Sequence, residues 1–195
     1  MKHYYGFTLI ELMVTLAIMV IVITVGIPSF NTVIRDNRLV SQYNDLVTAL
    51  SLARSEAIKN TTTVTLCDSA NNATCLNLNQ WELGWIVFTD VNGNGAVDAG
   101  IDTILRVGAP IGGPFANGNN TLRELGFAST GNSVQYLPTG LMGGNTSGTF
   151  RVCDPRGAIS ARAVNINAVG RISRATDTDA NNIVNGFNGA DIVCP

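Results

Sequence analysis

Histidine is almost missing from this sequence, since His3 is the only one among 195 residues. Histidine supplies much of the acid–base and metal chemistry available near neutral pH, so its scarcity leaves little room for a Ser-His-Asp triad or a histidine-ligated metal. The sequence also lacks a nucleophile elbow, a glycine-rich phosphate loop that opens a helix, and a paired-carboxylate signature. We therefore expect no enzyme, no bound cofactor and no metal site.

A strong net charge is absent as well, because the formal charge at pH 7 is only −2. Nothing in the whole-chain balance indicates binding to nucleic acid or to an anionic membrane, so any such function must be local. One segment stands apart. Residues 151–174 hold five arginines against the single acid Asp154, a local charge of +4. These arginines are Arg151, Arg156, Arg162, Arg171 and Arg174.

The four cysteines all follow the apolar N-terminal segment, where an exported domain would meet an oxidising compartment. Two disulfides are expected. Three pairings are possible, and the least entangled one joins Cys67 to Cys75 and Cys153 to Cys194. A zinc site is disfavoured because the spacing is wrong and no histidine is available to complete it.

The N-terminal segment, residues 7–30, is apolar except for one ionisable side chain, Glu11. It is long enough to span a bilayer, which takes about 20 residues. A cleaved secretory signal peptide is the alternative, but the run exceeds the usual apolar region of about 7–15 residues and no A-x-A-like site follows. A carboxylate in hydrocarbon costs about 2.5–3.5 kcal/mol on insertion scales, so Glu11 requires a partner.

The hexapeptide Gly6-Phe7-Thr8-Leu9-Ile10-Glu11, after a short leader with Lys2, resembles the prepilin peptidase site of type IV pilins and type II secretion pseudopilins. The resemblance implies cleavage between Gly6 and Phe7 and N-methylation of Phe7. It also implies that Glu11 pairs with the N-terminal amine of a neighbouring subunit during assembly. Removal of the leader, residues 1–6, would take away His3 and leave a mature chain without histidine.

The chain after residue 30 changes from helical to strand patterning. Gly26 and Pro28 predict a kink, and apolar residues then recur at spacings of three and four, which indicates an amphipathic helix over 31–59. Beyond residue 60, threonine, asparagine and glycine surround short apolar runs. This order predicts an α+β fold, a long N-terminal helix packed on an antiparallel β-sheet domain of residues 60–195. Strands are predicted at 62–66, 85–88, 104–107, 133–137, 149–153, 163–166 and 171–173, with loops and short edge strands between 108 and 148.

Four pieces in order, residues 52–58, 64–67, 84–90 and 168–171, resemble the GspH/FimT branch of minor pilins and pseudopilins. The resemblance implies a single-pass inner-membrane protein with its C-terminal domain in the periplasm, which helps to prime or cap a filament. Its implied partners are the prepilin peptidase, other minor subunits and the major pilin. Pilus and type II secretion subunits share these features, so both systems remain open.

The loop at residues 90–98 has oxygen-bearing side chains at positions 1, 3, 5 and 9 of an EF-hand pattern. Position 12, however, is Ile101, where an EF-hand has a bidentate glutamate. Two Asn-Gly steps between strands also indicate a hairpin turn, which is the favoured interpretation. Calcium binding stays open.

The basic segment provides an alternative function, binding of double-stranded DNA. Some FimT-like minor pilins bind DNA through a G-R-x-R sequence, and residues 170–174 resemble it with one residue more. In a strand, Arg171 and Arg174 would point to opposite faces, whereas in a turn they could converge. Arg156 and Arg162 are further candidates for phosphate contacts. A solvated surface is the competing interpretation.

Overall fold

The computed structural model describes residues 6–111, 120–127 and 132–195, and only the backbone of 25–29. Leader residues 1–5 lie outside the described part. The helical elements are α1 (Leu9–Ile21), a π-helical segment (Val22–Gly26) and α2 (Ile27–Asn60). The strands are β1 (Val64–Asp68), β2 (Trp85–Thr89), β3 (Ile104–Gly108), β4 (Thr121–Leu125), β5 (Val134–Tyr136), β6 (Gly148–Cys153), β7 (Arg162–Ile166) and β8 (Ile172–Arg174).

The chain divides into two compact units between Arg38 and Leu39. In the first unit the α-helical hydrogen-bond pattern gives way to a π-helical turn at Val22–Gly26, just before Pro28. Proline has no N–H to donate, and a π-helical turn is one way in which a helix accommodates such a loss. The kink at Gly26 and Pro28 stays a prediction, as do the membrane and amphipathic halves of the helix.

No helix in the described ranges has both the length and the apolar character needed to cross a membrane.

The second unit contains two four-stranded antiparallel sheets. Sheet A has the order β3-β2-β1-β5, and sheet B has the order β4-β6-β7-β8. The predicted α+β fold, with its helix on antiparallel sheets, is confirmed. β4, which lies within the region predicted to hold loops and short edge strands, forms one edge of sheet B.

One face of α2 supplies the centre of the core. The buried positions follow the predicted apolar stripe, with Tyr43 partly buried beside them. Trp81 and Phe150 belong to the same core and meet edge to face, with ring centroids 4.7 Å apart. The buried stripe residues are Leu39, Leu46, Leu50, Ala53 and Ala57.

Two disulfides close loops over the outer faces of the sheets. Cys67 bonds to Cys75, and Cys153 bonds to Cys194, which is the least entangled pairing. The first bridge lies against a small cluster on sheet A that includes Ile86 and Phe88. The second fixes the C-terminal segment over alanines of sheet B. Each bridge therefore covers part of the outer face of one sheet.

Two predicted strands begin later than expected. β1 begins at Val64 because the helix end still holds Thr62, whose N–H donates to the Ala57 carbonyl at 3.3 Å. β8 begins at Ile172 because Arg171 belongs to a tight turn, where its N–H donates to Asn167 Oδ1 at 2.9 Å. The remaining predicted strands lie within two residues of the observed bounds.

Candidate functional site

The predicted processing and assembly residues lie at an accessible helix start. Gly6 and Phe7 are exposed, and the Phe7 side chain is 83% exposed. Thr8 caps α1, because its Oγ1 accepts the N–H of Glu11 at 3.3 Å. Glu11 lies in the first turn and is exposed, and α1 buries none of its residues within the chain. An exposed apolar surface of this size marks a site of contact with protein or lipid.

The predicted DNA-binding arginines separate into two environments. Arg156 lies in the turn after β6, where its Nε donates to Asp154 Oδ2 at 2.8 Å. Arg162 and Arg174 lie on β7 and β8, and the register pairs Arg174 with Val164. Because facing and alternate residues share a face of a sheet, both arginines lie on the side of Val164, which faces the core. Burial raises the pKa of Tyr43 on α2, and the charges of Arg174 and Arg162 partly oppose that rise.

Arg171 reaches α2 by a different route, through the turn that precedes β8. With Ile172 it lines an open groove of about 400 Å³, which we call the α2–β8 groove. Arg54 and Ile58 are among the α2 residues on its other side, together with Ser51 and Ser55. The turn thus brings Arg171 and Arg174 to the same helix. Their neighbours Arg54 and Tyr43 are about three helical turns apart, so the two arginines flank α2 at separate positions.

The arginines beside α2 keep an unbalanced positive charge. Within the described ranges, none of Arg54, Arg162, Arg171 and Arg174 forms an ion pair with a carboxylate. On α2, Asp45 and Glu56 are the acids nearest in sequence to Tyr43 and Arg54. Asp45 forms an ion pair with Arg106, and Glu56 forms one with Lys59. This side of the domain can therefore attract an anionic partner.

Arg54 is a residue whose role sequence reasoning missed. Its Nε donates to the Gly140 carbonyl at 3.2 Å, and its Nη2 donates to the Val169 carbonyl at 3.0 Å. It thereby ties two loops to α2, including the turn that presents Arg171. The only signal in the sequence was indirect: residues 52–58 and 168–171, two of the pieces that carry the resemblance, contact each other through this side chain.

The loop between β2 and β3 is held by its own carboxylates. Asp90 is fully buried and accepts hydrogen bonds from Thr65 Oγ1 at 2.7 Å and from the Gly95 N–H at 2.9 Å. Asp98 Oδ2 accepts from the side-chain amides of Asn92 and Asn94. The carboxylate oxygens that calcium would need are thus engaged by protein donors, which favours the turn interpretation. In the part of the chain that the structure describes, no group of three or more acidic, cysteine or histidine residues is arranged to hold a metal ion.

Comparison with protein families gives two matches. The family described as "Type II transport protein GspH" matches residues 42–170, and the "Prokaryotic N-terminal methylation motif" matches residues 1–27. The chain belongs to the GspH family. The methylation motif on this GspH-family chain implies processing by prepilin peptidase and anchoring in the inner membrane, and the family implies assembly with other pilin-like subunits.

Solved structures show the same fold. Two crystal forms of the type IV minor pilin FimU from Pseudomonas aeruginosa strain PAO1 match with TM-scores of 0.53 and 0.54. Their sequences are 21% and 23% identical to that of the GspH-family chain. The matched region covers 71% and 72% of the GspH-family chain, and 93% and 90% of the respective FimU chains. None of the curated proteins compared with the chain matches it.

Proposed function

We propose that this chain is a non-enzymatic minor subunit that is cleaved between Gly6 and Phe7, N-methylated at Phe7, and built into a filament of pilin-like subunits. There it primes or caps a type IV pilus or a type II secretion pseudopilus. One observation carries the proposal: the methylation motif, residues 1–27, contains the whole of α1, an apolar helix with no buried residue and with Glu11 in its first turn.

The chemistry of Glu11 explains how such a helix finds its place. In lipid, an unpaired carboxylate is costly, and removal of one partner from a buried ion pair is strongly destabilising. The N-terminal amine of a neighbouring processed subunit is a cation at the same depth. Pairing of the two groups favours one axial register between subunits, so Glu11 acts as the assembly carboxylate.

The rest of the chain is consistent with export. We assign residues 60–195 to the exported domain, which contains both disulfides, and disulfides persist in oxidising compartments such as the periplasm. We assign a single pass through the inner membrane to residues 7–30. The domain would then lie in the periplasm and move into the filament or its tip on assembly.

The test measures leader cleavage of the chain and its incorporation into filaments separately. The full chain is expressed with its prepilin peptidase, and its intact mass is measured before and after filaments are sheared from cells. We expect a mass that corresponds to a chain beginning at N-methylated Phe7. The Gly6→Leu variant should stay uncleaved, whereas Glu11→Gln should be cleaved normally but be at least tenfold depleted from filaments. An uncleaved wild-type chain, or normal incorporation of Glu11→Gln, would contradict the proposal.

A second candidate function is binding of double-stranded DNA at the filament, favoured by the arginines beside α2 that form no ion pair with a described carboxylate. Arg171, Arg174 and Arg162 can contact phosphates without giving up an ion pair to any described residue. Arg156 is the least available of the four candidates, because it is held by Asp154.

Binding of a short DNA duplex to the full chain in detergent, measured over a salt series, tests this candidate. Arg171→Ala with Arg174→Ala should weaken binding and reduce the salt slope by about 2, since each lost phosphate contact removes about 1. The control Arg35→Ala with Lys59→Ala removes the same charge and should leave the slope unchanged. Equal slopes in the two double variants would refute a specific role for Arg171 and Arg174.

A further inference from the structure

β8 is an edge strand of sheet B. Among the described residues it pairs with β7 on one side, and no described strand lies along its other side. The Arg171 carbonyl accepts the Asn167 N–H at 3.2 Å, and the Ala175 N–H donates to the Ala163 carbonyl at 3.0 Å. Odd-numbered residues therefore point their backbone groups towards β7, as the pairing of Ser173 with Asn165 also requires.

The even-numbered residues point their backbone groups outward. Ile172 and Arg174 each present one N–H and one C=O along the open side, and within the described ranges these groups have no hydrogen-bond partner. Unpaired backbone groups on an edge strand can form hydrogen bonds with a strand of another chain, and proteins usually cover such edges or interrupt their pairing. The open side of the three-residue strand β8, Ile172–Arg174, is called the β8 edge below.

The surroundings of the β8 edge are chemically specific. Arg171 precedes it, Arg174 ends it and Arg162 lies on the neighbouring strand, all exposed or half-exposed and without an ion pair in the described part of the chain. Beside it runs the α2–β8 groove, whose wall includes the half-exposed Ile58 and the hydroxyl groups of two serines. A partner that fits has an extended backbone, carboxylates and a side chain of moderate size for the groove.

We propose that the β8 edge docks an extended acidic segment of a neighbouring subunit, which adds to sheet B as a fifth strand. This inference rests on the proposed function, in which the chain assembles with other subunits. The partner backbone exchanges hydrogen bonds with Ile172 and Arg174, and its carboxylates pair with Arg171 and Arg174. Strand addition of this type draws affinity from main-chain bonds and specificity from alternate side chains.

The backbone geometry favours a peptide over nucleic acid at this place. Phosphates can accept hydrogen bonds from the arginines and from the outward N–H groups, but they carry no donor for the outward C=O groups of Ile172 and Arg174. An acidic strand satisfies the charges and the backbone together. Preferential binding of DNA is therefore an outcome that would overturn the proposal.

A peptide probe tests the backbone and the charge separately. The full chain in detergent is titrated with a capped hexapeptide that alternates glutamate and valine. Two controls accompany it, a lysine–valine peptide and the glutamate–valine peptide N-methylated at alternate residues, which keeps its charge but loses one row of N–H groups. We expect the parent peptide to bind, the N-methylated one to bind at least tenfold more weakly, and the lysine peptide not to bind. Slowed amide exchange at Ile172 and Arg174 should accompany binding.

A matched pair of variants tests the same edge from the protein side. Arg174→Ala and Arg174→Pro both remove the guanidinium group, but only proline also removes the outward N–H. Because β7 does not use that N–H, proline is compatible with this edge position. One lost hydrogen bond corresponds to a factor of about 2 to 10 in affinity, so we expect the proline variant to bind that much more weakly than the alanine variant. If the proline variant does not fold, the N-methylated peptide decides.

Three results would overturn the proposal: no binding of the glutamate–valine peptide at millimolar concentration, equal binding of its N-methylated form, or preferential binding of a DNA duplex that is insensitive to excess peptide. If the chain is cleaved and incorporated into filaments but shows any of these results, the docking proposal alone is refuted. A chain that is neither cleaved nor incorporated would refute the proposed function instead.

Discussion

Replacement of Gly170 by alanine should disrupt the turn that presents Arg171. Gly170 has φ +74°, a left-handed conformation, and a Cβ added there would lie 2.1 Å from the Gly140 carbonyl oxygen. That oxygen is also the acceptor for Arg54. Since neither backbone segment can move without disturbing the contact between α2 and the turn, the clash has no cheap relief.

The size of the effect follows from two separable contributions. A left-handed alanine costs about 1–2 kcal/mol relative to an unstrained residue. Relief of a close contact in a packed region costs about 1–3 kcal/mol more. We therefore expect Gly170→Ala to lower the free energy of unfolding by about 2–5 kcal/mol. Gly93 is the matched control, because its φ of +71° is nearly the same and nothing lies within 4 Å of its added Cβ. Gly93→Ala should cost only about 1–2 kcal/mol.

Urea unfolding of the full chain in detergent, followed by tryptophan fluorescence, measures both variants. In a chain of this size, 1 kcal/mol corresponds to a Tm shift of about 2–4 °C, so thermal unfolding should rank them in the same order. Equal losses in the two variants would refute the argument, because the packing of Gly170 against Gly140 would then contribute nothing beyond backbone strain.

Two further predictions concern pH and the disulfides. Burial raises the pKa of Glu124 above 4.5, although the Phe127 N–H and a nearby arginine oppose the shift. The folded chain then holds the extra proton, so stability should fall as pH rises from 4.5 through the raised pKa, and Glu124→Gln should lack this decline in urea titrations at stepped pH. Replacement of Cys153 and Cys194 by serine opens a bridge of sequence separation 41, against 8 for Cys67–Cys75. Loop-closure entropy gives losses of about 4 and 2.5 kcal/mol, a ranking that Tm measurements check.

The sequence was sufficient for features that depend on local pattern. The spacing of Leu39, Leu46 and Leu50 predicted the buried face of α2, because a helix places residues three and four apart on one side. Two disulfides were expected from the four cysteines, and the structure contains the least entangled of the three possible pairings. The helix-then-strand order likewise predicted an α+β fold, since the two periodicities are distinct.

Features that depend on distant contacts were not predictable. The two carbonyl groups that Arg54 holds are 86 and 115 residues away in sequence, and no periodicity relates them. The same contact fixes the turn at Gly170, which moves Arg171 out of β8 and shifts the strand by one residue. The open edge of β8 also became visible only with the strand order of sheet B, which single strands do not reveal.

The central claim, that this GspH-family chain is a minor subunit of a filament, is tested most directly by its stoichiometry. Quantitative mass spectrometry of filaments sheared from the bacterium that makes it should find the chain processed to Phe7, at a small fraction of the abundant subunit, and lost in Glu11→Gln. Absence of the wild-type chain from filaments, or a copy number equal to that of the abundant subunit, would contradict the account.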